Sequence, residues 1–95
     1  MYTAKWNDKL IAQSDKTVEI EGNQYFPLDS VNKDYLTDSE MQSICPWKGT
    51  ASYFSLNVDG KTSKDSAWTY VTPKEGAVSI AGHIAFDRTV EVTNS

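Results

Sequence analysis

Mostly β is the class this sequence predicts: a small antiparallel meander curled into a barrel or sandwich, with one or two short helices between its third and fourth strands. Three observations carry that reading. Asp59-Gly60 sits between the alternating apolar runs "TASYFSLNV" and "SAWTYV", the strongest short-range hairpin signal in the chain. Two-residue gaps at Asp15-Lys16 and Gly22-Asn23 separate the shorter runs "KLIAQS", "TVEIE" and "QYFPL". No stretch holds an apolar helical period beyond about twelve residues.

Taken in order, the three short runs pair as successive strands. Tight turns at both gaps place Ile11 opposite Ile20 and Ile20 opposite Tyr25, with Val18 on the same face, as one core row. Alternation then stops over "DSVNKDYLTDSEMQSICPWKG". Asp29 or Ser30 caps a short turn holding Val31 and Tyr35. Thr37-Asp38-Ser39-Glu40 carries the N-cap pattern of a second short helix, with Glu40 three residues after Thr37. A residue before proline is pushed out of α geometry, so that helix ends ahead of Pro46 and Cys45 lies just past it.

The long hairpin follows. With Asp59-Gly60 as its loop, Val58 pairs with Lys61, Ala51 faces Trp68, Tyr53 faces Ser66 and Gly49 faces Tyr70. Tyr53, Trp68 and Tyr70 then share one face, and Phe54, Leu56, Val58 and Ala67 the other. A bulge in "KTSKDS" is the feature that would slip this register. "PKEGAVSI" reads as a loop or a single helical turn, and "GHIAFD" with "TVEVTN" as a last strand pair.

Ninety-five residues make a single domain spanning 1–95, with room for one modest core. Three Trp, five Tyr and three Phe must fill much of it. A formal charge of -4 with nine scattered Lys and Arg excludes a basic stripe and predicts no nucleic-acid partner. No apolar run nears the roughly 18–20 residues that cross a bilayer, so no membrane partner is expected. The opening "MYTAKWNDKLIAQ" is too polar for a signal peptide, and one cysteine forbids an intramolecular disulfide; the expected location is cytoplasmic. A structural zinc site needs about four Cys or His ligands. Cys45 and His83 are all there are, so neither metal nor cofactor is expected, and nothing in the sequence sets an oligomeric state.

The order of four segments is more specific than any one of them. "YFP" at 25–27, "CPWKGTASY" at 45–53, "AWTY" at 67–70 and "GHIAF" at 82–86 together resemble the bacterial and fungal family known as domain of unknown function 427, from Trp6 to Val92. The resemblance implies a small, single-domain, mostly β cytoplasmic protein. The family's alternative label suggests a nucleotidyltransferase. That chemistry needs carboxylates holding a divalent metal about a triphosphate, usually beside a glycine-rich or basic cradle. Neither a phosphate-loop signature nor a closely spaced acidic pair after a Gly-Ser turn is present. Acidic residues fall instead in loops and at solvent-facing strand positions such as Glu19, Glu21 and Glu91.

The candidate ligand-binding residues are Lys48, Tyr53, Trp68, Tyr70, Cys45 and His83. Lys48 is a lone cation at the mouth of an apolar strand, where it either lays its stem on Trp47 with a wet ammonium or caps an aromatic cleft and meets an anion. Tyr53, Trp68 and Tyr70, with Ser55, Ser66 and Lys48 nearby, suit a polar-lined pocket better than the Phe54-Leu56-Val58 face does. Cys45 reads as a space-filling thiol more readily than as a nucleophile, because a histidine base must first be brought to it. His83 reads as a rim residue, and Arg88 as solvated, with a lesser role in pairing a ligand acid. The expected function is a module binding a small anionic or aromatic ligand in this cleft, with Lys48 at its rim. The alternatives are an enzyme using Cys45 or Lys48 with His83, and a protein-interaction module whose aromatic face meets a partner.

Overall fold

Turns with two left-handed central residues set the course of the chain. In the computed structural model, which describes residues 1–95, positive φ occurs in pairs at Asn7 and Asp8 (51° and 63°), Glu21 and Gly22 (55° and 81°), and Asp59 and Gly60 (51° and 80°). Such turns match the right-handed twist of the strands they join. They close β1 (Tyr2–Trp6) on β2 (Lys9–Ser14), β3 (Val18–Ile20) on β4 (Asn23–Tyr25), and β6 (Gly49–Val58) on β7 (Lys61–Thr69). The remaining strands are β5 (Leu36–Cys45), β8 (Ile84–Phe86) and β9 (Glu91–Asn94). Helix is confined to short 3-10 turns at Leu28–Ser30, Lys33–Tyr35 and Glu75–Ile80.

These strands form three antiparallel sheets, ordered β2-β1-β9, β3-β4 and β5-β6-β7-β8, and no barrel closes. Several pairings therefore differ from the meander the sequence predicts. Residues 2–6, assigned no element from the sequence, are a strand, and β2 pairs with it rather than with β3. The Ile11-Ile20-Tyr25 row does not form. The second turn sits one residue earlier than Gly22-Asn23, so Val18 faces Tyr25 and Ile20 faces Asn23. The last two strands do not pair with each other: β8 joins β7, and β9 crosses to β1.

The helix expected from Thr37 is a correction of another kind. That segment is β5, ten residues pairing along β6. The Thr37 hydroxyl donates to the Ser55 carbonyl, 3.3 Å away on the neighbouring strand, instead of capping a helix. Cross-strand partners outweigh a local capping pattern, which is worth about 1 kcal/mol. Cys45 accordingly ends a strand, not a helix.

In the long hairpin Val58 pairs with Lys61 as expected, and then a bulge intervenes. Beyond it Phe54 faces Ala67, Tyr53 faces Trp68 and Ser52 faces Thr69. Asp65 takes the left-handed conformation, with φ 55°, and its N–H donates to Ser55 Oγ at 3.0 Å. The slip is by two residues, so each side chain keeps its face although its partner changes. Tyr53, Trp68 and Tyr70 remain together.

A core lies on each face of the four-stranded sheet. Leu56, Val58, Ala67, Ile84 and Phe86 share the larger one with Ala4, Ile11, Ala12 and Val90 from the first sheet and its approach. On the opposite face Ala51, Tyr70 and Ala85 are covered by Tyr25 from β4 and by Ala77 and Ile80 from the 3-10 turn, with Val18, Ile20, Cys45, Tyr53 and Trp68 packed around them. Phe26 links the two regions. Its N–H and carbonyl bridge Ile84 at 2.7 and 2.8 Å, and its ring meets Phe86 edge-on at 5.7 Å.

Phe26 is fully buried and Leu28 is 46% exposed, two residues apart. Phe26→Ala is expected to cost about 3–5 kcal/mol in urea denaturation, against less than about 0.5 kcal/mol for Leu28→Ala. Equal costs would contradict this packing.

Candidate functional site

Lys48 owes its position to the backbone around it. Gly49 has φ 113°, a conformation that disfavours any side chain, and Thr72–Lys74 runs alongside it at a distance that would leave a Cβ in ordinary contact. The Lys74 N–H donates to the Lys48 carbonyl at 2.8 Å, and Lys74 Nζ reaches the Pro46 carbonyl at 2.7 Å. The turn between β5 and β6 is thus held from both sides, and Lys48 leaves it pointing into the second core.

Neither a wet ammonium nor a rim position describes Lys48. Its side chain is only 8% exposed. Nζ lies 5.5 Å from the Tyr70 ring centroid and 5.6 Å from that of Trp47, within cation–π range of both. Its one ion-pair partner is Glu21, whose carboxylate accepts from Nζ. Glu21, placed in solvent by the sequence reading, sits at the tip of the β3–β4 hairpin and is itself 53% exposed. A buried unpaired ammonium costs several kcal/mol, so this contact is required rather than ornamental.

The tyrosines complete the cluster. Tyr25 and Tyr70 lie 6.5 Å apart, and Tyr53 lies 6.1 Å from Trp68, both pairs tilted. The Trp68 indole N–H donates to the Tyr25 hydroxyl at 3.1 Å, and the Tyr53 hydroxyl shares a 3.1 Å hydrogen bond with Ser43. Burial pulls the Lys48 pKa down, but the Glu21 hydrogen bond, helped by the fields of Tyr25, Tyr70 and Glu21, more than restores it and leaves it above 10.5. For Tyr70, burial raises the phenol above 10.0, and the Lys48 ammonium only partly offsets that.

Five of the six candidate residues therefore share one face: Lys48, Tyr53, Trp68, Tyr70 and Cys45. His83 does not join them. Its ring Nδ1 contacts the Ala81 carbonyl at 3.1 Å, in a separate depression with Asp29 and Lys33. The open cleft expected over Tyr53, Trp68 and Tyr70 is filled by the protein's own hairpin through Tyr25, Val18 and Ile20. The largest groove, 610 Å³, lies beyond that hairpin; Trp68 and Glu21 line it and Lys48 does not. Sequence reasoning had no signal for Glu21, since nothing local marks a carboxylate that pairs 27 residues away. It could have marked Tyr25, an aromatic beside a turn.

Fold and cluster together define a small all-β domain in which a two-stranded hairpin seats a carboxylate on a buried lysine. The chain belongs to the family described as Domain of unknown function (DUF427), whose model matches residues 2–95, slightly beyond the Trp6–Val92 span of the resemblance. No curated protein matches it. No helix is long and apolar enough to cross a membrane.

Both shifted groups hold their protons more tightly folded than unfolded. Their contribution is complete below about pH 10 and is lost as pH rises through the elevated folded values. Denaturation midpoints are expected to fall above pH 10, and less steeply in a Lys48→Met, Tyr70→Phe double variant. An unchanged slope in that variant would contradict the assignment. Cys45, a half-buried free thiol, is expected to cost about 1 kcal/mol on replacement by Ser, with the Lys48 and Tyr70 amide resonances essentially unmoved.

Proposed function

We propose that this protein is a small-molecule binding domain, whose ligand presents a carboxylate or phosphate to Lys48 against the Tyr25, Tyr70 and Trp68 rings. One observation carries the reading. A nearly buried ammonium has a single counter-ion, and that carboxylate comes from a half-exposed hairpin tip that also borders the largest groove. Glu21 thus stands where a ligand acid would stand. An incoming anion that replaces it keeps Lys48 paired, so the exchange leaves no buried charge uncompensated. Aromatic contact would supply most of the affinity, at roughly 25 cal/mol per Å² removed from water. Tyr53 and Cys45 act in this account as packing behind the site. The same proposal keeps the protein in the cytoplasm, where a free thiol such as Cys45 stays reduced.

The enzyme alternative needs an acid–base group beside Cys45 or Lys48, and His83 faces another depression. The interaction-module alternative needs a free aromatic face, and that face carries the chain's own hairpin.

Amide chemical-shift titration with benzoate and phenyl phosphate tests it. Shifts are expected to cluster on Glu21, Tyr25, Lys48 and Trp68, with affinities in the millimolar range. Lys48→Met should abolish them. Glu21→Gln, which removes the internal competitor, should tighten binding roughly tenfold, equivalent to about 1.4 kcal/mol. Shifts confined to surface lysines, or binding unaffected by Lys48→Met, would overturn the proposal.

A further inference from the structure

The 610 Å³ groove forms where the β3–β4 tip, the end of β8 and the β1–β9 edge meet, with Trp68, Tyr2, Phe86, Gln24, Arg88 and Glu21 among its walls. Its charged lining residues are Glu21, Asp87 and Arg88. Two of them are spoken for. Glu21 is paired with Lys48. The Asp87 carboxylate accepts from the Thr89 N–H at 2.9 Å and the Thr89 hydroxyl at 2.5 Å, closing its own turn instead of meeting its neighbour. The ion pairs of the protein are Lys9–Asp59 and Lys48–Glu21, so the exposed Arg88 guanidinium has no carboxylate. It is the one cation that lines the groove, and it is unpaired.

Trp68 is specialised in a complementary way. Its indole N–H is committed to the Tyr25 hydroxyl, so what it offers the groove is ring surface. A flat apolar platform with a free guanidinium suits a planar ring carrying an acid, because the guanidinium fork binds carboxylate or phosphate through two parallel hydrogen bonds. Glu21 alone belongs to both places, lining the groove and capping Lys48. Glu21 is therefore where the groove, with Arg88 on its wall, adjoins Lys48.

We infer that the groove receives the body and a second acidic group of the ligand, which is a rigid aromatic dianion: an aromatic dicarboxylate, or an aryl phosphate bearing a carboxylate. Its ring lies on Trp68, one acid meets Arg88, and the other takes the place of Glu21 on Lys48. This ligand class rests on the reading of Lys48 as the first anion's seat. The Arg88 half stands on the groove itself.

Calorimetric titration of the full chain with benzoate, terephthalate and naphthalene dicarboxylate separates the two. At least one dianion is expected to bind about tenfold tighter than benzoate. Arg88→Gln, at an exposed position, should erase that advantage while leaving benzoate binding unchanged. Lys48→Met should weaken benzoate and dianions alike; if that variant fails to fold, Glu21→Gln replaces it and should tighten both. A dianion advantage that survives Arg88→Gln, or no advantage in any dianion, overturns this inference and leaves the Lys48 reading intact. Binding lost in Arg88→Gln but untouched by Lys48→Met or Glu21→Gln overturns the Lys48 reading and the dianion class with it.

Discussion

A two-stranded hairpin has little stability of its own in water, and β3–β4, with three residues in each strand, is as short as hairpins come. It persists because it is fastened at both ends. At its tip Glu21 meets Lys48; at its base Tyr25 and Phe26 enter the two cores and Phe26 bridges β8. The dependence runs both ways. Without the hairpin, Lys48 would hold a charge among aromatic rings with no partner, and Tyr70 and Trp68 would face water. Glu21 also accepts a left-handed backbone that a non-glycine residue adopts at some cost, offset by its place in the turn and its ion pair. Because Glu21 is about half exposed, the pair adds little net stability. Its work is to make burial of the lysine tolerable.

The four-stranded sheet is apolar on both faces, but the faces differ in chemistry. One is aliphatic and phenylalanine-lined and meets the first sheet. The other is built of tyrosine and tryptophan, whose polar atoms need partners once buried. Those partners exist: Tyr25 with Trp68, Tyr53 with Ser43, and no buried side-chain polar atom is left without one. Such a face is stable when closed, and it offers rings and hydroxyls to whatever displaces its cover. The bulges on either side of β6 preserve this division, since each shifts the register by an even number of residues.

Much of the candidate site was legible in the chain because it follows from rules that act over a few residues. Asp59-Gly60 specified its turn, and two-residue periodicity assigned Tyr53, Trp68 and Tyr70 to one face. The Pro46–Gly49 run marked Lys48 as the lone cation at a strand mouth. The segment read as a loop or a single helical turn is a short 3-10 turn at Glu75–Ile80, whereas the family was carried by a resemblance in the order of four segments along the chain. A two-residue slip changed every opposing pair beyond the bulge without moving one side chain across the sheet.

Long-range closure decided the rest. Which strand accepts β2, whether Thr37–Ile44 is helix or strand, and where β9 docks all depend on partners far along the chain, and local propensity is too weak to choose among them. The same holds for function. The sequence by itself determined a cation beside an aromatic face. Only the tertiary structure decided that Glu21 occupies that cation, that His83 stands apart, and that the open groove belongs to Trp68 and Arg88, because a carboxylate's partner is set by the path of the folded backbone and not by its neighbours in sequence.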